Sequence, residues 1–82
     1  MREGSVQLQS VFQEHRVSEK FQRQYAEWRK HPPTVDGVPL GTFLKVASEM
    51  GVEQPNKVLC ALITQRHAVR VCENTQQYIK IQ

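Results

Sequence analysis

The 82-residue sequence has little of what membranes, metals or catalysis require. No apolar run approaches the length of a membrane span, and no charged-then-apolar start suggests a signal peptide. The expected setting is therefore intracellular, cytoplasm or nucleus, with no membrane partner. Cysteine is scarce: Cys60 and Cys72 lack CxxC spacing and a nearby histidine pair, so no zinc site is expected. Both are expected to be buried thiols in a reduced compartment rather than a disulfide. Aspartate is scarcer still, with Asp36 the only one. His15, His31 and His67 fall on different elements, and Ser5, Ser10, Ser18 and Ser48 lie in no nucleophile-elbow context. With no glycine-rich phosphate loop either, the reading is a protein without catalysis, cofactor or metal.

One further shortage is local. From Gln54 to Cys72 there is no Asp or Glu, while Lys57, Arg66 and Arg70 all fall there. The preceding segment, Gly37 to Glu53, sets Lys45 against Glu49 and Glu53. The net charge of +3 is mild, so its distribution carries more than its size. A window cleared of negative charge is what a phosphate-facing surface needs.

What is present is an ordinary globular composition: 39% hydrophobic and 23% charged residues exclude disorder and allow one small domain. Residues 1–17 are the least legible. Ser10 with Gln13 fits a capping box, and Leu8, Val11, Phe12 and His15 form a weak helical stripe. A short helix, a mobile arm and the front of one long helix all remain open there.

Ser18 is a suitable N-cap for a helix carrying Phe21, Tyr25 and Trp28 on one face, and Pro32-Pro33 ends it. The aromatic stripe is read as core. Asp36-Gly37 marks a turn, with Val35 and Val38 fit for a very short strand. From Pro39, the residues Leu40, Phe43, Leu44, Ala47 and Met50 repeat as an amphipathic helix with Gly51 as its C-cap. Pro55 opens another, with Val58, Leu59, Leu62 and Ile63 inward and Lys57, Thr64 and Arg66 outward.

The last stretch, "HAVRVCENTQQYIKIQ", alternates around a polar tip and reads as a β-hairpin. Pairing Val71 with Ile79 and Val69 with Ile81 puts four β-branched residues on one face. That register leaves Asn74-Thr75-Gln76 as the loop and Arg70, Cys72, Tyr78 and Lys80 outside. A lone hairpin is unstable in water, so this one is expected to cover the helical core.

The order helix, short strand, helix, turn, helix, hairpin resembles the winged helix-turn-helix superfamily over about Ser18 to Gln82. The local pattern "VASEMGV" supports it, with small Ala47 four residues before Gly51 and apolar Val52 after. The fold class expected is thus mainly α with a small β-hairpin, and residues 1–17 as an arm or extra helix. The resemblance implies a nucleic-acid-binding domain, duplex DNA first, in a transcription or replication regulator. Asn56, Lys57, Thr64 and Arg66 would be recognition-helix contacts, and Arg70, Tyr78 and Lys80 wing contacts. It equally allows a protein-interaction module, an adaptor or complex subunit, with RNA a third partner because Tyr78 could stack on a base. A homodimer or protein partner could form through the N-terminal region.

Overall fold

The computed structural model describes residues 7–82 and shows a small α/β domain of four helices and a three-stranded antiparallel sheet. The order is α1 (Leu8–Glu14), α2 (Glu19–Lys30), β1 (Val38–Pro39), α3 (Leu40–Glu49), α4 (Pro55–Thr64), β2 (Ala68–Glu73) and β3 (Gln76–Ile81). β3 lies between β1 and β2.

The N-terminal stripe is a separate short helix. Val11 and Phe12 enter the core, and a left-handed Arg16 at φ 52° separates α1 from α2. Its N-cap is Gln7 without a side-chain bond, so the Ser10–Gln13 capping box does not form: Ser10 lies inside the helix. Ser18 does cap α2, accepting from the Phe21 N–H at 3.3 Å. The same hydroxyl donates to the Met50 carbonyl at 2.6 Å, tying the start of α2 to the end of α3. Two orphan groups from different helices are thereby satisfied by one side chain.

The aromatic stripe is core. Phe21, Tyr25 and Trp28 are buried, and Phe43 of α3 meets Phe21 at 5.4 Å and Trp28 at 5.8 Å between ring centroids. Phe12 meets Tyr25 edge-on at 5.4 Å, so α1 joins the same cluster. Edge-to-face pairs of this kind add to the gain from burial alone. Leu59, Leu62 and Val58 of α4, Val38 of β1 and Ile79 of β3 complete one continuous core.

Three helices end in the same backbone device. Gly51 N–H reaches the Ser48 carbonyl and Val52 N–H the Ala47 carbonyl, a Schellman motif with Gly51 at φ 89°. α1 and α4 repeat both bonds, but Arg16 and Arg66 stand at the left-handed position that glycine favours.

The hairpin forms, but in another register. Val69 pairs with Lys80, Arg70 with Ile79 and Val71 with Tyr78, leaving Asn74-Thr75 as a two-residue loop. Both loop residues have positive φ, 49° and 66°, as a type I′ turn demands. The one-residue slip reverses the faces. Ala68 and Ile79 are buried on the helix side, and Ile81 is partly buried there. Val69 and Val71 turn outward beside Lys80 and Tyr78, with Val69 44% exposed. The tight loop matches the twist of the strands, and small Ala68 fits beneath the helices where a valine was expected. Both cysteines are exposed, contrary to the expectation of buried thiols: Cys60 lies on the outer side of α4, and Cys72 near the hairpin tip.

Candidate nucleic-acid interface

α4 begins with Pro55 at its first position, where the missing N–H costs nothing. Val58, Leu59 and Leu62 take one face into the core, which leaves Asn56, Lys57, Cys60 and Thr64 together on the opposite, exposed face. These residues offer amide, ammonium, thiol and hydroxyl groups. No carboxylate stands among them.

Arg70 occupies β2, the strand that follows α4 and packs against it. Its register partner is Ile79, so its side chain leaves the sheet on the helix side, at the edge strand, and is exposed. Tyr78 and Lys80 leave on the other side, with Val69 and Val71. The expected wing set is therefore divided by the sheet. Arg70 shares the helix side of the sheet, where α4 packs; Tyr78 and Lys80 do not. Arg66 is exposed at the left-handed residue that ends α4.

Among the described residues the only ion pair is Arg23 with Glu19 on α2, at 3.7 Å. Lys57, Arg66 and Arg70 thus carry charge that no carboxylate of the described chain engages. Arg16 is a cation the sequence reading left out. The end of α1 meets the start of α4, and Arg16 and Lys57 line one shallow hollow there, together with Glu14 and Glu53. Helix stripes do not show that approach, because it depends on how α1 folds back against α4. The two carboxylates make this corner mixed in sign at Lys57, while Asn56, Cys60 and Thr64 on the rest of the outer face of α4 do not line it.

Among the described residues, the one ionisable group with a marked shift lies in the interior. Burial pushes the Tyr25 phenol well above its ordinary range, and the Arg29 guanidinium opposes this only partly. Its hydroxyl donates to the His67 carbonyl at 3.1 Å, fastening α2 to the residue that leads into β2. Among the described residues no cluster of three or more His, Cys, Asp or Glu could hold a metal ion. No described helix is long and apolar enough to cross a membrane. Comparison with protein-family models, curated proteins and solved structures found no significant match to this chain.

Proposed function

We propose that the chain is a winged helix-turn-helix domain that binds nucleic acid, duplex DNA first, through the exposed face of α4. The reading rests on one observation. Asn56, Lys57 and Thr64 on α4 and Arg70 on β2 lie in a window free of Asp and Glu, and the cations are in no internal ion pair. Such a surface attracts phosphate, partly offset at Lys57 by Glu14 and Glu53 in the neighbouring hollow, and the contacts release counterions. Lys57 and Asn56, in the first turn, are placed to reach base edges if the helix enters a major groove. Arg70 would hold backbone beside the helix. The order helix, strand, helix, turn, helix, hairpin and the Schellman turn at Gly51 fit this reading. Tyr78 and Lys80 leave the proposed contact set, because the hairpin register turns them away.

An NMR titration of the labelled domain with duplex DNA, single-stranded DNA and RNA tests it. Shifts that cluster on residues 55–66 and at Arg70 for duplex support the reading. Shifts only with RNA would replace the ligand class. No shift with any nucleic acid would leave a protein-docking module, the adaptor or subunit reading.

A further inference from the structure

A second surface lies away from α4, between the turn after α2 and the last strand. β1 is only two residues long, and its register with β3 ends at Val38 opposite Ile79. Lys80 and Ile81 run on beyond that pair, with Lys80 opposite Val69 of β2 and Gly37 close to its Cα on the other side. The turn Thr34–Gly37 closes over this end of the sheet. Thr34 and Gly37 are joined by a 3.0 Å backbone bond, and the Thr34 hydroxyl donates to the Gly37 carbonyl at 2.7 Å. Gly37, at φ 113°, lies directly on the β3 backbone, where a Cβ would collide with the Ile79 carbonyl. The turn is thus held rigidly, and it presents Val35 to solvent at 92% exposure.

Beneath that valine is a hollow of about 140 Å³. Trp28, Pro32, Val35 and Ile81 supply its apolar walls, and Arg29 and Lys80 are the only charged groups that line it. A volume this small is below the several hundred Å³ typical of cofactor and metabolite sites. It is of the order of one large side chain. Neither Arg29 nor Lys80 is in an ion pair among the described residues.

We propose that this cleft docks an acidic segment of a partner protein. One large aliphatic or aromatic side chain would fill the hollow, and Asp or Glu on either side of it would meet Arg29 and Lys80. Two features point to the same occupant. The hollow accepts a single anchor, as peptide-binding pockets do. The two unpaired cations select negative flanks. None of the lining residues belongs to α4, so the inference stands whether or not that helix binds nucleic acid.

The test is selection of short random peptides displayed against the intact folded chain, followed by synthesis of the enriched ones. The expected peptides carry one large apolar residue between acidic neighbours. They should change the emission of Trp28, the only tryptophan, and shift the NMR signals of Val35, Lys80 and Ile81. Exchanging the anchor for alanine should weaken binding at least about tenfold. The double variant Arg29→Glu, Lys80→Glu should weaken it by about tenfold, with an unchanged melting curve. Selection of no peptide, of peptides without acidic flanks, or of peptides whose shifts fall elsewhere would overturn the proposal.

Discussion

α2 and α4 are built alike on the inside and differently on the outside. Each buries three residues, Phe21, Tyr25 and Trp28 in one and Val58, Leu59 and Leu62 in the other. On the outside, α2 mixes Glu19, Lys20, Arg23, Glu27, Arg29 and Lys30, and holds the one ion pair of the described residues. α4 shows Asn56, Lys57, Cys60 and Thr64, with no acid and no ion pair. A mixed-charge face is satisfied by itself and by water. A sparse face free of acid gains from an anionic partner. The contrast is the reason the proposed nucleic-acid surface is assigned to α4 rather than to α2.

The inner likeness is broken first by truncation. Trp28→Ala should cost about 3–5 kcal/mol and Leu62→Ala about 2–5 kcal/mol, measured by denaturant unfolding. For a domain of this size either loss could abolish folding. A near-neutral Trp28→Ala would mean that the aromatic stripe is not core.

Tyr25 sharpens the comparison through pH. Its phenol stays protonated in the fold, while the unfolded chain releases that proton above about pH 10. The unfolded state then binds fewer protons, so stability is complete below that pH and falls by about 1.4 kcal/mol per pH unit above it. Tyr25→Phe should remove this slope. At neutral pH it should cost only about 0.5–1.5 kcal/mol, because the His67 carbonyl keeps its bond from the Gln82 N–H at 2.9 Å. Urea midpoints of both proteins at pH 8 and pH 11 check the sign.

Arg66→Gly tests the end of α4. Its φ of 65° is costly for arginine and free for glycine, so the variant should gain about 1 kcal/mol. If it also loses affinity for duplex DNA, the arginine is retained for binding at the expense of stability. The smallest effect belongs to the outer face of α2. Glu19→Ala removes an exposed i, i+4 pair and should cost at most about 0.5 kcal/mol, without changing binding.

The helices were legible because their ends carry chemical marks: Ser18, Pro32-Pro33, Gly51 and Pro55. The end of α1 has no such mark, since Arg16 occupies a site that glycine usually holds. The hairpin was legible from its alternation, but its register was not. Asn74-Thr75 lacks the glycine that announces a type I′ turn, and an apolar pairing with a three-residue loop was available. That single slip separated Arg70 from Tyr78 and Lys80 and changed the candidate site. Residue type alone also misplaced Cys60 and Cys72, because exposure depends on which face a helix or strand turns inward. The cleft beside Val35 was invisible in sequence, since it exists only where the Thr34–Gly37 turn meets β3.

The claim that α4 and its neighbouring strand form the nucleic-acid surface is tested most directly by salt dependence. Affinity for duplex DNA should be measured across a series of salt concentrations for the parent chain and for the double variant Lys57→Ala, Arg70→Ala. Both side chains are exposed, so folding should be unchanged. If each neutralises one phosphate, the slope of log affinity against log salt should flatten by about two units, for all duplex sequences alike. A folded double variant that binds DNA with the parent slope would contradict the account.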